Sequence, residues 1–182
     1  MLLLNDIRVL DFGRFIAGPF CGALLGDLGA DVIRVEKTNG SEDRFTSPVT
    51  EDGDGAAYMQ LNRNKRGLTL NPKKPNGKKI LRKLIESADV VIANLPPDTL
   101  ASMGLDYQSL CTINPNIILT TSTAFGSEGP YGQRVGFDGV AQAMSGNMYL
   151  TGHENEPMRN YLPYVDFTTA SLNAMATLAA II

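Results

Sequence analysis

The chain has 182 residues, 43% of them hydrophobic and 19% charged, which is enough apolar material for one buried core and rules out a disordered or fibrous protein. A formal net charge of −3 excludes the cation excess that general nucleic-acid and membrane-surface binders require. No stretch reaches the ~18 apolar residues needed to cross a bilayer, and the opening MLLLNDIRVLDF has neither a basic region nor a small-residue cleavage site, so a cytoplasmic location is expected.

Residues 7–12, IRVLDF, read as a short strand and residues 31–36, DVIRVE, as a second. Between them, GRFIAGPFCGALLGDLGA has helical periodicity through Phe20, Ala23, Leu24 and Leu28 and closes on Gly29, which suits a left-handed C-cap. Strand, helix and strand in this space predict a βαβ unit with two parallel neighbouring strands. The pattern then repeats. NGKKILRKLIESA predicts an amphipathic helix with Ile80, Leu81, Leu84 and Ile85 inward and lysines outward. DVVIAN follows as a continuous apolar strand, the kind found in a sheet covered on both faces. Pro96 and Pro97 break the chain, short helices are expected around 98–103 and 106–112, and NIILTTST supplies another strand. Strands alternating with helices predict the α/β class.

Two stretches interrupt the rhythm. Residues 38–57 are polar and Gly-rich and predict a long loop, and GSEGPYGQRVG at 126–136 holds four glycines and a proline and predicts a second. DGVAQAMSG reads as a short helix of small residues. TTASLNAMATLAAII predicts a helix with no cap, no glycine and no charged last turn. That ending leads to the expectation that the sequence is the N-terminal part of something longer.

Several residues invite chemistry. Cys21 and Cys111 lack CxxC spacing, so they read as small buried hydrophobes in a reducing compartment and not as a disulfide framework or zinc knuckle. The first strand–helix turn, FGRFIAGP, and Glu36 at the end of the next strand stand where a dinucleotide fold places its glycines and its ribose-binding acid. Gly13 and Gly18 lack the paired opening glycines of G-x-G-x-x-G, which favours a tight turn before a packed helix over a pyrophosphate cradle. Arg63, Lys65 and Arg66 are the densest cationic point outside a helix face. They fit either a solvated cluster or a site for a phosphorylated ligand. His153 is the lone histidine and no GxSxG accompanies it, so it reads as a solvated loop residue. Asp166 opens the last helix, with Thr168 and Thr169 in the first turn. Two compatible roles follow: the helix N-cap, and a carboxylate held ionised by the macrodipole and therefore nucleophilic.

Five segments in order carry a likeness: VLDFGRFIAGPFCGALLGDLGADVIRVEK, NRNKRGLTLN, ADVVIANLPPDTLASMGLDY, NPNIILTTSTAFGSEGPYGQRVGFDGVAQAMSG and the aspartate of YVDFTT. Together they resemble the N-terminal half of the family III CoA-transferases, the group that includes formyl-CoA and carnitine CoA-transferases and the α-methylacyl-CoA racemases. The resemblance implies that residues 1–182 are the N-terminal part of a large, CoA-binding, Rossmann-like domain with a parallel sheet and helices on both faces. It further implies that a smaller domain and a C-terminal return complete the protein, that two copies interlock as a homodimer, and that this chain alone is inactive.

By the same resemblance the catalytic residue falls on Asp166, which would pass an acyl group between CoA thioesters and a carboxylic acid through aspartyl anhydride and aspartyl-CoA intermediates, without metal. The CoA contacts fall on Ile16 and Ala17, on Lys37, on Leu70, Asn71, Pro72 and Lys73, on Asn94 and Leu95, and on Arg134, Val135, Gly136 and Phe137. Lys37, Lys73 and Arg134 are suited to CoA's phosphates. The sequence departs from the pattern at Ile16, where some transferases carry a polar residue, and at Ser102, where formyl-CoA transferase has an arginine. The racemases use a histidine in a G-H-D motif. Here it is Gly136-Phe137-Asp138, and phenylalanine cannot move a proton, which favours the transferases. The alternatives are an acyl-CoA racemase or isomerase using another base, and a non-catalytic module that binds CoA esters.

Overall fold

The computed structural model describes residues 2–46 and 48–182. In chain order the elements are β1 (Arg8–Asp11), α1 (Ala17–Asp27), β2 (Asp31–Glu36), α2 (Ala56–Leu61), β3 (Lys65–Thr69), α3 (Pro75–Glu86), β4 (Val90–Ala93), α4 (Pro97–Met103), α5 (Tyr107–Cys111) and β5 (Ile118–Thr121). They continue with α6 (Asp138–Met144), α7 (Asn147–Leu150), β6 (Gly152–His153), β7 (Glu156–Pro157) and α8 (Tyr164–Ile181).

β1 to β5 form one parallel sheet in the order β3-β2-β1-β4-β5. The inner strands are apolar on both sides because both sides are covered, and alternation sends successive residues to opposite faces. Leu10, Phe12, Ile33, Val35 and Val91 join Leu81, Ile85, Leu100 and Leu110 in a core under α3, α4 and α5. Val9, Val32, Val90 and Ile92 join Cys21, Leu25, Ala170 and Ala174 in a second core under α1 and α8. Small residues at Ala170 and Ala174 admit close packing of α8, and Phe20 meets Phe167 edge-to-face with centroids 5.0 Å apart. This packing fixes where the N-terminal end of α8 projects. The fold is thus the doubly covered α/β sheet that the sequence pattern predicts.

The structure differs from the expectations in three places. Ile80 is 46% exposed, because only Leu81, Ile85 and partly Leu84 of α3 fall on the sheet-facing stripe. The stretch 38–57 is not a plain loop. A 3₁₀ turn forms at Glu42–Phe45 and α2 begins at Ala56, while Ser47 lies outside the described residues. These pieces are tied down by Glu36, whose carboxylate accepts from Arg44 Nη2 at 2.7 Å, Tyr58 Oη at 2.9 Å and the Ser41 amide at 3.1 Å. Burial alone would raise the Glu36 carboxyl, yet the Arg44 and Tyr58 hydrogen bonds hold it down at about 2. The acid that a dinucleotide fold offers to a ribose is here a structural tether. Finally, α8 starts at Tyr164, before Asp166.

Among the described residues no helix is long and apolar enough to cross a membrane.

Candidate active site

The sheet order reverses between β1 and β4, and in parallel α/β sheets the crevice beyond the strand ends at such a point is where ligands bind. Here the turn after β1 and the turn after β4 are clasped together. Asn94 Oδ1 accepts from the Arg14 amide at 2.6 Å, and Asn94 Nδ2 donates to the Arg14 carbonyl at 2.8 Å. Gly18 is required by this approach, since a Cβ there would lie 2.7 Å from Asn94 Oδ1. The turn thus uses its glycines for tight packing. Phe15 adopts φ +57°, costly for a bulky residue and sustained only where the surroundings over-determine it. Its ring meets Phe137 edge-on at 5.3 Å.

Two clefts meet at this turn. The larger, about 630 Å³, is lined by Lys37, Leu70, Asn71, Pro72, Lys73 and Leu95 among the residues expected to hold CoA. The smaller, about 220 Å³, is lined by Asn94, Leu95, Arg134, Val135, Gly136 and Phe137, together with Asp166. Arg14, Phe15 and Leu95 line both. A third recess, about 160 Å³, joins Ala17, Asn94 and Asp138 to Asp166. Ile16 lines none of the three. Of the cations expected to meet phosphates, Lys37 pairs with Glu42 at the rim, Lys73 is exposed, and Arg134 stacks over the Tyr131 ring at 4.3 Å.

The other candidates fall away from the clefts. Arg63 pairs with Asp27, Arg66 pairs with Asp31 at 2.7 Å, and Lys65 is buried on Asp11 at 2.8 Å. Their charges are neutralised internally, so the reading of this cluster as a phosphate site is not supported. His153 is exposed on the β6–β7 hairpin. The Ser102 hydroxyl donates to the Thr99 carbonyl within α4 at 2.8 Å.

Asp166 lies inside the first turn of α8, so it is not the N-cap. The cap is supplied from a distance. Asp138 Oδ1 accepts from the Val165 amide at 2.8 Å and the Asp166 amide at 3.3 Å, and Gln142 Nε2 donates to Asp138 Oδ2. The free N–H groups that were expected to keep Asp166 ionised are therefore turned towards Asp138. Half-buried, the Asp166 carboxyl is pushed up to about 6, first by burial and then by the Asp138 charge. Among the described residues its carboxylate makes no hydrogen bond or ion pair. Near it, the Thr123 hydroxyl is buried without a partner and lines the same two recesses. A carboxylate with open lone pairs beside an unused hydroxyl donor can attack an electrophilic carbonyl and have the resulting oxyanion hydrogen-bonded.

Sequence reasoning missed Arg14, Phe15, Thr123 and Asp138 as members of the site. The first three lie in the turns just beyond the ends of β1 and β5, and the rule that α/β ligands gather there could have found them. Asp138 gave no local signal, because the amides it caps are 27 and 28 positions away.

The sequence model of CoA-transferase family III matches residues 4–182. A succinate–glutarate CoA-transferase of Agrobacterium fabrum is 41% identical over 187 residues, covering 98% of this chain and 47% of that protein. A succinyl-CoA:glutarate CoA-transferase of Homo sapiens is 39% identical over 181 residues, covering 98% of this chain and 41% of its own length. The crystal structure of a CAIB/BAIF family protein from Brucella suis superposes with a TM-score of 0.92 at 38% identity, covering 99% of this chain and 49% of its own. The chain spans about half the length of the curated relatives it matches.

Proposed function

The chain belongs to CoA-transferase family III, and from that premise we propose that it takes part in moving CoA from an acyl-CoA to a carboxylic acid, with Asp166 as the covalent nucleophile. The observation that carries this reading is the state of Asp166: a half-buried carboxylate, without partners among the described residues, on the wall of the cleft at the sheet's switch point. The names of the relatives support dicarboxylic acids such as succinate and glutarate as the substrate class.

An Asp166 oxygen attacks the thioester carbonyl, the C–S bond breaks, and CoA thiolate leaves a mixed anhydride on Asp166. The thiolate then attacks the aspartyl carbonyl, which releases the donor's free carboxylate and leaves an aspartyl-CoA thioester. The acceptor carboxylate attacks that carbonyl and expels thiolate again. Thiolate finally attacks the acceptor's acyl carbon, forming the new thioester and restoring Asp166. CoA must stay bound throughout, and this reading seats it in the larger cleft, where Leu70, Pro72 and Leu95 give apolar wall and Lys73 a cation at the rim. The Thr123 hydroxyl is the nearby donor for the tetrahedral oxyanions. Phe15, which lines both clefts, meets Phe137 edge-on and gives the smaller cleft an apolar wall.

The test uses the complete protein that carries this chain, with succinyl-CoA and glutarate labelled with oxygen-18 in its carboxylates. Turnover is expected to carry label into Asp166, read by mass spectrometry of its peptide. Asp166→Ala is expected to lose about 10⁴-fold or more in turnover. Transfer that continues in Asp166→Ala, or that leaves residue 166 unlabelled, overturns the assignment.

A further inference from the structure

Arginine usage sets one side chain apart. Of the nine arginines in the sequence, six hold a carboxylate partner, and Arg14, Arg134 and Arg159 hold none among the described residues. Arg14 and Arg134 line the same cleft as Asp166. Arg134 is exposed and stacked on Tyr131. Arg14 is half-buried. Only its Nη1 is engaged, donating to the Phe12 carbonyl at 2.9 Å and the Gly13 carbonyl at 2.8 Å. Its Nε and Nη2 donors have no protein acceptor among the described residues.

No nearby acid forms an ion pair with that charge among the described residues. Asp11 is taken by Arg34 and Lys65, Asp43 by Arg34, and Glu42 by Lys37. Burial, and then the charge of Arg34, weaken the hold of Arg14 on its proton, and the more distant charges of Asp43, Asp11 and Glu42 offset this only in part. A partly desolvated guanidinium with free fork donors, lining the same small cleft as an unpaired carboxylate, is suited to receive an anion in bidentate fashion.

We infer that Arg14 anchors the second, non-reacting carboxylate of a dicarboxylic substrate while its other end meets Asp166, and so sets specificity for diacids over monoacids. The inference rests on the transfer reading above and adds to it the residue that selects the acid. Arg14 also borders the larger cleft, so the competing source of the anion is a phosphate of CoA.

The experiment separates the two sources by pairing substrates of equal chain length. Succinyl-CoA is compared with butyryl-CoA as donor, and glutarate with pentanoate as acceptor. Arg14→Gln is expected to lower kcat/KM for succinyl-CoA and glutarate by about 10²-fold or more, leaving the monoacid partners within about threefold. Arg14→Lys keeps the charge but not the fork, and is expected to fall between the two for the diacids alone. Equal losses for diacid and monoacid, or a rise in KM shared by both thioesters, would assign Arg14 to CoA or to the turn and overturn the inference. Glutarate binding by calorimetry gives a readout free of turnover. Binding that depends on Arg14 in a protein that transfers nothing would defeat the transfer reading alone, and binding indifferent to Arg14→Gln would defeat the anchor.

Discussion

Asp11 and Asp166 both withdraw a carboxylate from water, one at the end of β1 and the other in the first turn of α8. Asp11 is fully buried and fully partnered. It accepts from Lys65 Nζ at 2.8 Å, the Gly13 amide at 2.8 Å and Arg34 Nη1 at 3.4 Å. Burial pushes its carboxyl up, but the charges of Lys65 and Arg34 outweigh that and hold it below the usual range. Asp166 has burial and a neighbouring negative charge but, among the described residues, no cation paired with it, and its carboxyl rises to about 6. The first acid is locked ionised and holds the β1 turn against β2 and β3. The second is ionised at neutral pH yet unengaged, the state a nucleophile requires. The difference lies in the partners each environment supplies, since the side-chain chemistry is the same.

Removing a partner from the first acid is the largest test of this contrast. Lys65→Met leaves Asp11 buried with Arg34 as its remaining ion-pair partner, and also frees the Pro19 carbonyl and Asn62 Oδ1 that Lys65 contacts. A loss of about 3–5 kcal/mol in unfolding free energy is expected, read from urea midpoints at unchanged m-value. The sign of the pH dependence is fixed by Asp11. Its folded pKa is lowered, so its contribution is present above the ordinary value of 3.8 and disappears as pH falls through the folded value. The gap between wild type and variant should therefore narrow in acid. A loss below about 1 kcal/mol at neutral pH would mean that the network is incidental.

The second test concerns turnover. A nucleophile that must be ionised gives kcat/KM an acid limb, expected here near 6 with a plateau above it. A limb at ordinary carboxylate values would erase the contrast. Asp138→Asn sharpens it. The asparagine oxygen still accepts from the Val165 amide, so α8 keeps that cap bond while the one from Gln142 Nε2 is lost, and one of the two causes of the raised pKa disappears. The limb should move to lower pH without reaching the free-carboxylate range, because burial, the larger cause, remains.

How much of this was legible depended on distance along the chain. The strand–helix alternation, the apolar strands and the acid at the start of the last helix are local patterns, and they appear in the fold as β1 to β5 and α8. The ion network is not local. Arg34 stands opposite Asp11 only because β1 and β2 pair in parallel register, and Lys65 reaches the same carboxylate from β3. Read alone, Arg63, Lys65 and Arg66 look like a free basic patch, and only the register shows that each is neutralised. The Asp166 environment was misread for the same reason. A helix N-terminus predicts an ionised acid, but Asp138 arrives from α6 to take the amides. Most of the expected CoA residues came together at the clefts because they follow strand ends, a topological rule that survives ignorance of the contacts. Ile16 did not, since it faces neither cleft nor recess.

The smallest expected effect is the most discriminating. Because the folded pKa of Asp166 lies above its ordinary value of 3.8, the folded state carries an ionised carboxylate that it disfavours. That cost is absent in acid, grows as pH rises from the ordinary value to about 6, and is constant above. Asp166→Asn keeps the shape and removes the charge. Its Tm should exceed that of wild type by about 1–4 °C near neutral pH, a modest figure because the group is partly exposed and solvent screens it. In acid the two proteins should melt together. The same change at Asp11 strips a carboxylate from Lys65 and Arg34 and should lower Tm at neutral pH. If Asp166→Asn also melts earlier at neutral pH, the carboxylate at 166 is holding the fold together as Asp11 does, and it is then no free nucleophile.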